Sequence, residues 1–326
     1  MPDRRSFLTK SIKAGIVISI PWSPLFAFTR IRRSVKVGVI TDLHQDIMHD
    51  GPLRLTSFLD HMNRVKANAL LQMGDFAYPG EKNKQVIDMF NKAHQLNMHV
   101  IGNHDTDAGY TKDQCVQYWG MPHRYYSQMV DGVCFIVLDA NDKGSPIYKS
   151  GYPSFIANEQ LDWLRKTLEK TNAPIVIVSH QPLAGISAVD NCAEVQELLS
   201  KHAGKILLAI NGHTHINAAF EVGGINYVHI NSASYYWVGG KYKHESYPKE
   251  LVKDHEWIAY TCPYKDTLFS MLTIDPVNHT VMIQGASTQW VGKSPQELGC
   301  ELPSAMGQEQ IISPMISNRK IRKRLT

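Results

Sequence analysis

The stretch "KILLAINGHTHIN" (205–217) runs from an apolar segment into a glycine and then two histidines one residue apart. Residues i and i+2 point to the same side only where the backbone is extended, because side chains alternate along a strand and splay apart on a helix. His213 and His215 are therefore expected to aim together from the end of a buried strand. An isolated pair of this kind also arises when one histidine caps a turn and the other faces solvent, so its meaning depends on the rest of the chain.

Working outward, the same grammar recurs. Short β-rich runs at 35–40, 69–73, 98–101, 133–138, 175–179, 205–210, 226–230, 268–274 and 279–284 alternate with amphipathic helical stretches at 52–66, 83–96, 158–171 and 190–203. That alternation predicts one α/β domain over 34–317, with mixed sheets, helices outside and a long irregular segment at 232–265. Five of the runs lead directly into polar residues: "TDLH" (41–44), "GD" (74–75), "GNHD" (102–105), "SH" (179–180) and "GHTH" (212–215). Sites in α/β sheets form outside the carboxyl ends of the strands, so topology alone would gather these residues at one edge. Asp42, His44, Asp75, Asn103, His180, His213 and His215 offer seven oxygen and nitrogen donors and no thiolate. Such a set suits Mn²⁺, Fe or Zn²⁺. Two ions would need a shared ligand, which a carboxylate can be and an imidazole cannot, and Asp75 is the natural bridge.

The ordered series D-x-H, G-D, G-N-H-D, a lone histidine after a strand and G-H-x-H resembles the calcineurin-like metallophosphoesterase superfamily, over residues 42–215. The resemblance implies a four-layer αββα sandwich of two mixed β-sheets flanked by helices, with two divalent transition-metal ions that hydrolyse phosphate esters. Carried over, Asp42, His44 and His215 would hold one ion, Asn103, His180 and His213 the other, and Asp75 both. His104 would be the non-ligand histidine that acts on the leaving group, with Asp105 as its orienter. A hydroxide bridging ions roughly 3.5–4 Å apart would be the nucleophile, on monoesters or diesters. "GDFAY" (74–78) also fits a G-D-x-x-Y motif of purple acid phosphatases, but those carry D-x-G where this chain has Asp42-Leu43-His44, so Tyr78 is read as a packing residue. Amidohydrolases want H-x-H on the first strand and metallo-β-lactamases want H-x-H-x-D-H; neither pattern is present. A catalytically silent metal-binding or receptor protein on the same scaffold is the alternative, and an intact His104 argues against it.

Composition sets the outer limits. The chain has 326 residues, 43% of them apolar and 20% charged, enough for a sizeable core. Its formal charge of +4 is uneven: residues 1–33 hold seven Lys/Arg against one acid, residues 318–326 hold five against none, and 22 basic residues face 29 acidic ones between. The body would repel a phosphate backbone, so no nucleic acid partner is expected, and the basic tail at 318–326 is read as a frayed, solvated terminus. Arg4-Arg5 before Ser6-Phe7-Leu8 and a proline-broken apolar run resembles a twin-arginine export signal over 1–33. The run from Ala14 to Phe28 is too short to span a bilayer comfortably. Engagement of the twin-arginine export machinery and a periplasmic or other extracytoplasmic location are thus expected. Cys115, Cys134, Cys192, Cys262 and Cys300 show no C-x-x-C spacing and read mostly as buried thiols. Loops at 141–157 and 232–265 are expected to wall the site, the second carrying Tyr235, Tyr236, Trp237, Tyr242, Tyr247, Trp257, Tyr260 and Tyr264. Rings of this kind can stack on a base or sugar, or pack the loop onto its own domain.

Overall fold

A computed structural model describes residues 31–300 and 312–322. The expected export signal lies outside the described residues except for 31–33. The chain forms β1 (Val35–Ile40), β2 (Ala69–Gln72), β3 (Asn97–His99), β4 (Tyr126–Val130), β5 (Val133–Val137), β6 (Ile175–Ser179), β7 (Ile206–Asn211), β8 (Ala218–Val222) and β9 (Ile225–His229). It continues through β10 (Tyr235–Trp237), β11 (Thr261–Pro263), β12 (Ser270–Asp275), β13 (Thr280–Gln284) and β14 (Arg319–Arg322). The helices are α1 (Gly51–Arg64), α2 (Lys84–Ala93), α3 (Lys112–Trp119), α4 (Asn158–Lys170), α5 (Cys192–Ser200) and α6 (Lys249–Asp254).

Two six-stranded sheets result, ordered β14-β13-β12-β1-β2-β3 and β4-β5-β6-β7-β9-β8, beside a two-stranded β10-β11 ladder. Both large sheets are mixed. β1, β2 and β3 run parallel, as do β5, β6, β7 and β9, and antiparallel strands complete the edges. β5 shows why the sheets stack. Its residues Val133, Phe135 and Val137 belong to the core shared with the first sheet, whereas Cys134 and Ile136 belong to the core beneath α4 and α5. A strand buried on both faces loses the polar alternation of a surface strand, and all five residues of β5 are buried. Leu161, Leu164 and Leu168, spaced for one helical face, seat α4 on that outer side. Leu55, Phe58 and Met62 of α1 do the same for the first sheet.

The structure corrects the sequence reading in several places. β4, β8, β10 and β11 were not expected, being short or polar in composition. The basic terminus is not frayed throughout: Arg319–Arg322 pairs with β13 as the outermost strand, with Ile321 packed on the core and Lys320 and Arg322 exposed. Charged side chains on an edge strand discourage further pairing, which is why a charged segment serves there. The 232–265 segment is irregular but carries β10, β11, α6 and two 3₁₀ turns. Cys115, Cys134 and Cys262 are buried, while Cys192 is half-buried. Among the described residues no helix is long and apolar enough to cross a membrane.

Candidate metal centre

All seven expected donors leave the carboxyl ends of parallel strands: Asp42 and His44 after β1, Asp75 after β2, Asn103 after β3, His180 after β6, and His213 and His215 after β7. The backbone turns sharply there. Asp42, His44, Asp75, His213 and His215 all adopt left-handed conformations, with φ between +48° and +67°. That region costs a non-glycine residue on the order of 1–2 kcal/mol, and its concentration at one edge marks a place where the fold overrides local preference. It also corrects the reading of His213 and His215: β7 ends at Asn211, the two histidines are not on extended backbone, and they enter different clusters. Two glycines permit the crowding. A Cβ at Gly102 would strike the backbone nitrogen and carboxylate of Asp75, and one at Gly212 would strike Thr41 and the Asp42 carboxylate.

Asp42, His44 and His215 form one buried cluster, and Asp75, His180 and His213 a second; within each, donor atoms lie within 4.8 Å of one another. Nε2 of His44 is 3.4 Å from Nε2 of His215, which is in turn 3.0 Å from Asp42 Oδ1. In the second cluster Nε2 of His180 is 3.1 Å from Asp75 Oδ2 and 3.1 Å from Asn103 Oδ1. The tautomer of His180 is fixed by its other nitrogen, which donates to the Met73 carbonyl at 2.8 Å. Asp75 stands between the clusters: Oδ2 is also 3.7 Å from His44 Nε2, while Oδ1 accepts the backbone N–H of His104 at 2.8 Å. Asp42 leans the other way, 4.0 Å from His180.

The donor set fits cations better than protons. An ion bonded at about 2.1 Å to each ligand holds those ligands about 3–4 Å apart, whereas two neutral imidazole nitrogens at that distance have no hydrogen bond to make unless one carries a proton. A buried nitrogen, Nδ1 of His215, has no hydrogen-bond partner. Burial drives the His44 and His213 imidazoles down to about 3, so both offer lone pairs. Burial works against ionising Asp42, yet the neighbouring His215 brings it down to about 2. Burial also disfavours charge on His180, but Asp75 outweighs it and raises the imidazole to about 9.

His104 lines the same cavity but belongs to neither cluster. The expectation that Asp105 orients it is not met. Asp105 instead accepts backbone N–H groups of Asp75, Phe76 and Gly102 at 2.7–2.8 Å, and burial followed by the charge of Asp75 pushes its carboxyl up to about 8. It knits the strand ends together. His104 Nδ1 faces Asp107 Oδ2 at 2.8 Å and the Tyr152 hydroxyl at 3.1 Å, and Tyr152 donates to Asp107 at 2.8 Å. Burial lowers the His104 pKa, but Asp75 and Asp107 together hold it above the ordinary imidazole value. Asp107 escapes the sequence reading, which places no helical turn over 104–109. In the 3₁₀ segment there, residues three apart meet, and that spacing was the available signal. Tyr152 belongs to the expected 141–157 wall. Tyr78 packs its ring on Tyr110, and Tyr235 stacks on His44 at 4.9 Å, backing the first cluster.

No curated protein sequence matches the chain significantly. Among solved structures, a dimetal phosphatase from Danio rerio aligns with a TM-score of 0.55 and 13% identity, covering 79% of this chain and 98% of its own. GAP50, the anchor in the inner membrane complex of Plasmodium, aligns with a TM-score of 0.51 and 15% identity over 80% of this chain and 86% of its own. At such identities the likeness is one of fold. The model of the calcineurin-like phosphoesterase family matches residues 35–217, more than half of the chain and the whole stretch that carries the seven donors, and the protein belongs to that family.

Proposed function

We propose that the protein is a two-metal hydrolase of phosphate esters, with Asp42, His44 and His215 holding one divalent ion, Asn103, His180 and His213 the other, and Asp75 shared. The observation that carries this reading is the position of Asp75 Oδ2, within 3.7 Å of a histidine nitrogen in each cluster. Two ions bound there would acidify a water to near-neutral pKa and neutralise the phosphoryl oxygens. His104 supplies the leaving-group proton: Asp107 and Tyr152 occupy its Nδ1, which leaves Nε2 as the nitrogen that faces the reaction. Asp107 is thus the orienter in place of Asp105. The Arg4-Arg5 motif supports delivery of the folded, loaded protein by the twin-arginine route to an extracytoplasmic compartment.

The test is elemental analysis of the mature protein together with hydrolysis of a monoester and diester panel after stripping and reloading with Mn²⁺, Fe²⁺ or Zn²⁺. Close to two ions per chain and metal-dependent turnover are expected. Two bound ions with no turnover on any ester would favour the silent scaffold, and one ion would remove the shared-ligand assignment. Replacing Arg4 and Arg5 by lysine should retain loaded protein inside the cell, and export of that variant would sink the routing proposal.

A further inference from the structure

The cavity that His104 lines also has a wall whose chemistry the hydrolytic centre does not use. β10 presents Tyr235 and Trp237 two residues apart, and so on one side of the strand, about 7 Å from each other along it. Tyr235 is buried and lies against His44 and His215. Trp237 is thus one strand repeat along β10 from the ring that backs the first cluster. It lines the same cavity as His44, His104 and His215 and is 42% exposed, far more than a large aromatic that only fills core.

The indole is also held in place. Tyr260 stacks on it with centroids 5.7 Å apart and planes within 10°, Trp257 braces Tyr260 at 5.1 Å, and the Lys243 ammonium lies 4.8 Å from the centre of the Tyr260 ring. Pairing of Trp237 with Thr261 in β11 fixes the backbone beneath. An aromatic backed by a second aromatic is a prepaid surface for a third, because its rotamer entropy is already lost. Besides the donors, His104, Tyr235 and Trp237, the lining comprises Ile186, Ile216, Ser187, Thr214 and Tyr236, and among the described residues no lysine or arginine lines the cavity. The cavity, about 300 Å³, is at the small end of ligand sites. Among the described residues a leaving group carrying further phosphates would find no counter-charge there beyond the ions, and a flexible chain would gain little from a rigid flat wall.

We propose that Trp237 forms a leaving-group subsite that selects phosphate esters whose alcohol carries one flat, uncharged aromatic ring system, as in a nucleoside or an aryl alcohol. This rests on the phosphoesterase reading above. Trp237 acts in specificity by stacking on the ring.

The experiment uses the full metal-loaded protein and matched pairs that differ in the ring and share a similar leaving alkoxide: 2-phenylethyl phosphate against butyl phosphate, and adenosine 5′-monophosphate against ribose 5-phosphate, each also as its methyl diester. The ring-bearing member should be preferred in kcat/KM, mainly through KM. Trp237→Ala should cut that preference about ten-fold, the scale of one stacked base, and Trp237→Phe should restore most of it. The better of the two ring-bearing substrates identifies the source as nucleoside or aryl. A wild-type preference below two-fold, or one that Trp237→Ala leaves intact, overturns the subsite while leaving the hydrolase reading untouched. If no ester is turned over, that reading fails instead, and titration calorimetry of the same phosphates decides the subsite. Tighter binding of the ring-bearing member that is lost in Trp237→Ala supports it, and equal or absent binding overturns it.

Discussion

The two sheets contribute unlike chemistry to one site. The first supplies both carboxylates and the amide, from Asp42, Asp75 and Asn103, with a single imidazole, His44; the second supplies only imidazoles, from His180, His213 and His215. Each cluster draws on both sheets. Alone, the first sheet would hold like charges together and the second would hold neutral bases together. The stacked sandwich completes each three-donor cluster from both sheets, so loading would be coupled to sheet packing.

The sharpest way to break this comparison is to weaken its central carboxylate. Asp75→Asn should lower the occupancy of both ions by elemental analysis and reduce turnover by orders of magnitude. A variant that loses one ion only would confine Asp75 to one cluster. Loaded wild-type protein should also melt well above the chelated form, since each ion present at about 1,000 times its Kd adds about 4 kcal/mol. The next largest effect separates ligands from the proton donor. His104→Asn should keep both ions and lose about 10²–10⁴-fold on an alkyl phosphate, but far less on a nitrophenyl ester, whose leaving anion needs no proton. Equal losses on the two esters would remove the general-acid role.

The two aspartates that flank Thr106 sharpen the contrast further. Asp107→Asn should reproduce the leaving-group dependence of the His104 variant at a smaller scale, about ten-fold, with the melting temperature little changed. Asp105→Asn faces three backbone N–H groups with an amide that can donate as well as accept, so it should lower the melting temperature by the equivalent of about 1–3 kcal/mol. Exchanged outcomes would reverse the assignment. The smallest effect concerns a charge cluster of the second sheet away from the donors. Burial disfavours ionised Asp139, but the Lys112 ammonium at 2.7 Å and then Arg124 hold its carboxyl below the ordinary 3.8. Its stabilising contribution is complete above about pH 5 and is lost as pH falls through the depressed value. Asp139→Asn should therefore melt lower at pH 7 and converge with wild type as pH falls below the depressed value, as melting curves across pH will read.

How much was legible follows the same division. Strand ends announce themselves, because an apolar run followed at once by aspartate or histidine is a local pattern, and all seven donors stood in such patterns. The central strands of both large sheets were legible as apolar runs, within shifts of a few residues, whereas the edge strands β4, β8 and β14 were not. What escaped depends on distance in space. Asp107 meets His104 only through a kinked 3₁₀ turn, and Tyr152 reaches them from a loop almost fifty residues on. Tyr235 and Trp237 were visible as aromatics in an irregular segment, but their alternation on β10 exists only because β11 pairs with it. β14 was missed because its charges read as solvent-seeking, whereas at an edge they are compatible with pairing.

The antiparallel pairing of β1 with β12 places a delay inside the molecule. Val39, next to the strand end that bears Asp42 and His44, finds its partner at Ser270. A ribosome adding about 5–20 residues per second needs tens of seconds to deliver that partner after Val39 emerges. Until then β1 has an open side, and contacts of such sequence separation form slowly even in a complete chain. The first sheet is therefore completed only after most of the chain has been made.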